Sequence, residues 1–331
     1  MTMDVLVHGE NQSQARSLAY RDDVLPDLAF WTGRGERCAL VTLIGVDGNA
    51  PRAEGAQMAV SESGQWSGYI SGGCLEQAIA LEAAEVINAG SPRLLRYGKG
   101  SPYFDIRLPC GSGLDVFIQP FTNAALIQDM HGRLERRQPF ALRIDLVSGG
   151  ARLEAARSDA GMETRSVRSE GGFLRAYYPS VRCLIIGSSP IAVKLAEMAA
   201  CTGFDTVFYA PDIDSLPTLA GPISVYRLTP ATRFSTDPWT AAILAFHDHE
   251  QEMPVFSELL RSSCFFIGAI GSRNAQAARI LALAEQSFSQ DDIGRIQSPA
   301  GLIPGLKSAP LVALSILSQV TAKAKEQHIV F

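Results

Sequence analysis

Val181-Arg-Cys-Leu-Ile-Ile186 is a short apolar run, followed by Gly187-Ser-Ser-Pro190, a helical stretch over 191–202 and then Asp205-Thr-Val-Phe-Tyr209. Strand, glycine turn, helix and strand in that order open a doubly wound sheet of the nucleotide-binding kind. Further apolar runs at 241–245 and at Cys264-Phe-Phe-Ile267 alternate with helical stretches at 252–262 and 274–286, so the parallel pattern continues toward the end of the chain.

Upstream the pattern changes. Leu18, Leu25, Leu28, Phe30 and Trp31 stand at helical spacing within 14–33, and Cys38-Ala-Leu-Val-Thr-Leu-Ile44 reads as a buried strand. Gln57-Met-Ala-Val-Ser61 and Trp66-Ser-Gly-Tyr-Ile70 read as a hairpin about Ser63-Gly64. From Leu75 the period is helical, with Ile79, Ala83, Val86 and Ile87 on the same face and a stop at Asn88 and Gly90. Strands are expected at 93–97 and 114–119, with Pro109-Cys-Gly-Ser-Gly113 as the loop between them. Alternation over 139–178, punctuated by Gly149-Gly150 and Gly171-Gly172, predicts antiparallel strands ending at Pro179. The expected fold class is α/β: a mixed α+β N-terminal domain over 1–178, followed by a Rossmann-like doubly wound parallel-sheet domain over 179–331.

A length of 331 residues fits two domains of roughly 100–200 residues each. An apolar fraction of 47% and a charged fraction of 19% describe packed protein rather than disorder. The net charge of −5 argues against nucleic acid or an anionic membrane surface as partner. No run reaches the roughly 18–20 apolar residues of a membrane span, and the first residues lack the basic and apolar regions of a secretory signal, so a cytoplasmic location is expected. The six cysteines form no CxxC pair, which disfavours a zinc site or a disulfide framework.

The densest local chemistry is Ile70-Ser-Gly-Gly-Cys-Leu-Glu76, where a strand passes through Ser71, Gly72 and Gly73 into a helix. A helix N-terminus offers unpaired N–H groups to an anion such as a phosphate, and Cys74 at that terminus would hold its sulfur as a thiolate. The plain alternative is a tight turn around a small buried residue. Cys110, between Pro109 and Gly111, is a second cysteine framed by loop formers, whereas Cys38, Cys183, Cys201 and Cys264 lie in apolar runs and read as core. Arg52, in Gly48-Asn-Ala-Pro-Arg-Ala-Glu-Gly-Ala56, is either a bidentate anion ligand or a solvated surface cation.

In the second domain, Gly187 begins a dinucleotide fingerprint that Ser189 breaks, since a bare glycine belongs where the pyrophosphate approaches. The acidic residue due near Ala210 is also absent, with Asp212 two residues later, so NAD(P) binding is disfavoured. His247-Asp-His-Glu250 combines two imidazoles and two carboxylates at the ligand-binding edge, although neighbours on one loop seldom converge on one metal ion. Gly268-Ala-Ile-Gly-Ser-Arg273 ends a strand with Arg273 offered to an anion, or is simply a turn capped by Ser272.

Taken together these segments resemble the XdhC/CoxI family of xanthine dehydrogenase accessory proteins. The resemblance rests on Ala50-Pro-Arg52, Gly55-Ala56, Met58, Gly68-Tyr-Ile-Ser-Gly-Gly-Cys-Leu-Glu76 and Pro109-Cys-Gly111. In the second half it rests on the strand ending in Gly187, His247-Asp-His249, Gly268-Ala-Ile-Gly-Ser-Arg273 and Pro299-Ala-Gly-Leu302 before a final helix containing Leu314-Ser-Ile-Leu317. The resemblance implies a non-catalytic carrier of the molybdenum cofactor, as molybdopterin or its dinucleotide form. Such a carrier works with a cysteine desulfurase while a sulfido ligand replaces an oxo ligand, then delivers the product to a molybdenum hydroxylase of the xanthine dehydrogenase or aldehyde oxidoreductase type. A homodimer is compatible with it. Cys74 and Cys110 become the candidates for contact with molybdenum, beside Arg52 and Ser71 to Gly73. Gly187, Ser189 and Arg273 stay as nucleotide-site candidates, and His247 and His249 as secondary metal candidates. The departures are Ser189, Ala210 and Leu302-Ile-Pro-Gly-Leu-Lys-Ser-Ala-Pro310, which lacks acidic residues that family members carry there. The rival readings are an NAD(P)-dependent oxidoreductase and a sulfur carrier passing persulfide through Cys74.

Overall fold

The computed structural model describes residues 22–73, 75–101, 111–156, 166–246, 252–327 and 329. The chain divides into two units, Met1–Pro179 and Ser180–Phe331.

In the first unit, helix α1 (Leu25–Gly33) carries Pro26 in its first turn, where the missing N–H costs nothing. The side chain of Asp23 accepts from the Leu25 amide at 3.0 Å, and residues 14–21 of the expected helical stretch lie outside the described residues. Leu25, Leu28 and Trp31 are buried, but Phe30 is exposed on the opposite side. Strand β1 (Cys38–Asp47) is central. Around it lie β2 (Gln57–Ser61), β3 (Trp66–Gly68), helix α2 (Glu76–Ala89), β4 (Arg93–Gly98) and β5 (Gly113–Pro120), giving an antiparallel sheet of order β3-β2-β1-β5-β4. β3 ends at Gly68 rather than Ile70, because Gly68 adopts φ +80° against the Gln57 carbonyl, where a Cβ has no room. Gly90 closes α2 in the left-handed region, as a C-terminal glycine should.

Both faces of this sheet are covered, so β1 reads as a continuous apolar run instead of an alternating one. Ile79, Ala83 and Val86 of α2 pack on Val41, Leu43, Val116 and Ile118. Each such fully buried branched side chain is worth about 1.5–3 kcal/mol. The other face meets α1, helix α3 (Ala124–Glu135) and a second sheet of β6 (Phe140–Asp145), β7 (Ala151–Ala155), β8 (Ser166–Ser169) and β9 (Gly172–Tyr177), in the order β7-β6-β9-β8. The antiparallel order brings the loop after β1, the turn after β3, the end of β4 and the start of β5 to one edge of the five-stranded sheet.

The second unit contains β10 (Arg182–Gly187), α4 (Pro190–Cys201), β11 (Asp205–Ala210), β12 (Ile223–Arg227), β13 (Thr240–Ala245) and α5 (Glu252–Leu259). It continues with β14 (Phe266–Ala269), α6 (Arg273–Glu285), α7 (Gln290–Gly294), β15 (Ile296–Gln297) and α8 (Ala309–Glu326). Its sheet is parallel with the order β12-β11-β10-β13-β14-β15, which in local strand numbers is 3-2-1-4-5-6. α4 and α8 cover one face, and α5 and α6 the other. The topological switch point lies between β10 and β13.

Two sequence expectations need correction here. β14 begins at Phe266 instead of Cys264, because parallel pairing sets Ala241 opposite Phe266, while Phe265 donates to the Thr240 carbonyl at 3.1 Å as the lead-in. Cys201 is exposed, not core: it is the last residue of α4, one turn position beyond the buried Ala199 and Ala200, and turns toward solvent.

Candidate functional site

The turn after β3 is built around an internal anion. Glu76, at the first position of α2, is 1% exposed. Its Oε1 accepts the amides of Ile70 at 2.9 Å and Ser71 at 2.7 Å, and its Oε2 those of Gly73 at 2.8 Å and Leu75 at 3.2 Å. The Ser71 hydroxyl donates to the same carboxylate, 2.9 Å from Oε2, and accepts from the Leu75 amide at 2.9 Å. Burial alone pushes the Glu76 carboxyl upward, but the amides of Ser71 and Ile70 outweigh it and hold the group below the usual carboxylate range. The chain encircles the carboxylate through Gly72 at φ +85° and Gly73 at φ +115°, conformations costly for any side-chain-bearing residue. The amides of Ile70, Ser71, Gly73 and Leu75 are thus committed to Glu76 rather than offered to an external phosphate. Ser71 is buried, and Gly72 and Gly73 are exposed. Cys74 lies outside the described residues, as does Cys110.

Arg52 joins this turn. Its guanidinium lies 4.2 Å over the Tyr69 ring, donates to the Tyr69 hydroxyl at 2.8 Å and pairs with Asp22 at 2.6 Å. It is therefore held against an aromatic face and is not the solvated cation that spacing allowed. Its Nε is buried without an acceptor among the described residues. The neighbouring Pro51 lies beside Gly72, where a Cβ would stand 3.9 Å from it, and a Cβ on Gly48 would stand 3.6 Å from the Ser112 backbone. One loop thus touches both the turn that carries Cys74 and the segment that follows Cys110. The same sheet edge carries further charge: Arg96 bridges Asp115 at 3.0 Å and Asp47 at 3.3 Å, Lys99 reaches Asp47 at 3.4 Å, and Arg168 reaches Asp115 at 3.3 Å.

In the second unit the switch point is shaped for close backbone contact. Gly187, at φ +138°, lies against the backbone of Ala245 at the end of β13, which leaves no space for a Cβ. Ser189 caps α4, its side chain accepting the Ala192 amide at 3.2 Å while its own amide points to the Ala245 carbonyl at 3.4 Å. With Pro190 lacking an N–H, this helix start has few donors left for an anion. Asp212, the stand-in for the missing acid at Ala210, pairs with Arg227. Ser272 caps α6 through the Ala275 amide at 3.2 Å, and Arg273 is exposed. His247 and His249 lie outside the described residues, and among the described residues no three His, Cys, Asp or Glu side chains gather as a metal site.

Sequence reasoning missed a buried ion pair behind this edge. Arg279 of α6, 3% exposed, donates to Glu252 of α5, 0% exposed, through Nε at 2.7 Å and a terminal nitrogen at 2.9 Å. It also donates to the Ile270 carbonyl at 2.6 Å and the Ser298 hydroxyl at 2.9 Å. One guanidinium thereby ties together the loops that follow β13, β14 and β15. The only sequence signal was an arginine on the apolar face of a helix. Glu76 belongs to the motif of residues 70–76, but nothing in its spacing shows that it faces upstream donors.

Fold and geometry define a two-unit α/β protein with a charge-rich edge on an antiparallel sheet and a Rossmann-type second unit. The pattern of the XdhC and CoxI family matches residues 31–98, and that of the XdhC Rossmann domain matches residues 183–320. The molybdenum cofactor insertion chaperone PaoD of Escherichia coli (strain K12) is 36% identical over 302 residues, spanning 91% of this chain and 87% of that protein. A probable xanthine dehydrogenase subunit from Bacillus subtilis (strain 168) is 22% identical over 330 residues, spanning 89% and 96%. A crystal structure of a xanthine dehydrogenase from Bacillus halodurans shares the fold, with a TM-score of 0.70 at 21% identity over 91% of this chain and 96% of that one. The chain belongs to the XdhC and CoxI family.

Proposed function

We propose that this protein is a non-catalytic carrier of the molybdenum cofactor. It holds the cofactor as cargo at the edge where Arg52 and the Ser71 to Gly73 turn meet, and passes it to a molybdenum hydroxylase of the xanthine dehydrogenase or aldehyde oxidoreductase type. The observation that carries this reading is the convergence of that turn, Arg52 and the segment after Cys110 on one loop, in a chain 36% identical to a protein named for cofactor insertion. Thiolates at Cys74 and Cys110 are soft donors suited to molybdenum. Because four of the turn amides serve Glu76, the anionic part of the cargo is taken by side-chain cations of this edge, among them Arg52, Arg96, Lys99 and Arg168. A cysteine desulfurase would act on the cargo while it is held. No described helix is long and apolar enough to cross a membrane.

The Rossmann-type unit serves in this reading as a folded platform rather than a dinucleotide site, since at the start of α4 the Ala192 amide is capped by Ser189 and Pro190 has no N–H to offer. Anaerobic reconstitution with molybdenum cofactor, desalting and metal analysis test the proposal. Retention of roughly one molybdenum per chain is expected, and no retention rejects the carrier role.

A further inference from the structure

Arg52 stands in the loop between β1 and β2, and that loop is held from outside its own sheet. Within the sheet, the Gly55 amide donates to the Leu43 carbonyl at 2.7 Å and the Leu43 amide to the Ala56 carbonyl at 2.9 Å, which fixes where β2 begins. The carbonyls two and three residues after Arg52 are taken by the second sheet. Glu54 accepts from the Ser166 hydroxyl of β8 at 3.1 Å, and Gly55 from Arg175 Nε of β9 at 2.6 Å, across 112 and 120 positions. A Cβ on Gly55 would stand 3.2 Å from that of Ser166, so the β8–β9 hairpin sits directly on the loop.

Arg175 is itself seated on a rigid platform. Its guanidinium lies 3.9 Å over the Tyr177 ring, whose hydroxyl donates to Gln57 Oε1 at 2.8 Å, while the Gln57 side-chain amide donates to the Thr42 hydroxyl at 3.2 Å. Tyr177, Gln57 and Thr42 are all buried. A guanidinium stacked on a ring keeps its N–H groups in the plane of the stack, so the platform sets the direction in which Nε donates. We infer that Arg175 is a positioning residue: together with Ser166 it clamps the 53–56 end of the loop, and thereby holds Arg52 against the Tyr69 ring. The functional consequence rests on the reading that Arg52 contacts the cargo.

The test uses the full chain as wild type, Arg175→Met, Arg175→Lys, Arg52→Met and the double variant Arg52→Met with Arg175→Met. Methionine keeps much of the stem without a donor, whereas lysine keeps a donor and a charge over the ring. Hydrogen exchange of peptides covering 48–57 reads the clamp, because the Gly55 and Ala56 amides are bonded to the Leu43 and Ala53 carbonyls. Exchange there is expected to quicken about tenfold in Arg175→Met, and the molybdenum retained after anaerobic reconstitution at graded cofactor concentrations should show affinity about tenfold weaker. Arg175→Lys should recover both in part. Unchanged exchange in folded Arg175→Met overturns the inference. Exchange that quickens equally through β1, β5 and β6 also overturns it, because general loosening then explains the effect. Added to Arg52→Met, Arg175→Met should weaken retention by less than about twofold further, since a clamp that acts through Arg52 has nothing left to hold; fully additive losses overturn the inference. Should Arg175→Met fail to fold, Ser166→Ala removes the other tie, and quicker exchange of the same peptides supports the inference while no change rejects it. If exchange quickens while retention changes in neither Arg52→Met nor Arg175→Met, the clamp stands and the cargo reading at Arg52 falls.

Discussion

Replacing Arg279 by methionine removes the guanidinium that donates twice to the fully buried carboxylate of Glu252, and with it most of that charge's compensation. Breaking one side of a buried ion pair costs about 3–5 kcal/mol, chiefly the penalty of the stranded charge. The second unit spans Ser180–Phe331, a size at which each kcal/mol moves the melting temperature by about 2–4 °C. The unfolding transition of that unit should therefore fall by about 6–20 °C in Arg279→Met, and by a similar amount in Glu252→Leu, which strands the guanidinium instead. The double variant removes both charges together and should recover most of the loss. It should stay short of wild type by about 1 kcal/mol, because the Ile270 carbonyl still lacks its 2.6 Å donor. Differential scanning calorimetry of the four proteins measures the transitions, and hydrogen exchange of peptides from β13 to β15 assigns them to this region. Single variants that melt within about 2 °C of wild type, or a double variant no better than either single one, would refute the argument that a satisfied buried pair locks these loops.

Three further outcomes are expected. Cys74→Ser should lose molybdenum retention and client activation while melting like wild type, Cys183→Ser should keep both functions, and Cys110→Ser should follow Cys74→Ser if both sulfurs face one cargo. Metal analysis of desalted protein decides, and equal retention in Cys74→Ser and wild type removes that residue from the site. NAD(P) should bind weakly or not at all, since Ser189 and Pro190 deplete the α4 donors; calorimetry giving a low micromolar constant, about −8 kcal/mol, would contradict this. Burial pushes the Cys38 and Cys183 thiols up to about 12 and raises that of Cys264, so at pH 8 these three stay protonated in the folded chain and resist iodoacetamide while Cys201 reacts. Because the folded values lie above the unfolded one of about 8.5, these thiols favour folding below that pH and lose this contribution as pH rises toward 12. Rapid labelling of Cys183 at pH 8 without denaturant would show that strand β10 opens.

Much of the architecture is local information. A parallel strand covered on both faces must be a continuous apolar run, so Cys183 to Ile186 and Ala241 to Ala245 announced the second unit's centre, and the glycine, serine and proline after β10 announced a helix start. α2 was legible from its single apolar face and its closing Gly90. β12 was not, because it is an edge strand whose residues after Ile223 are exposed and carry no burial pattern. Nor was α3, whose buried face is reduced to Ile127 and Met130. The sequence also determined which residue types stand at each turn, and hence the family.

What only the tertiary structure decided is where charges find their partners. Arg52 meets Tyr69 across 17 positions, Arg279 meets Glu252 across 27, and the loop at Gly48 meets Ser112, contacts that no period of 2 or 3.6 residues encodes. Even within six residues, whether the donors of the 70–75 turn face outward to a phosphate or inward to Glu76 depends on the φ values of Gly72 and Gly73. Glycine leaves those angles free in the chain and only packing selects them, which is why the motif was visible as a sequence and its internal anion was not.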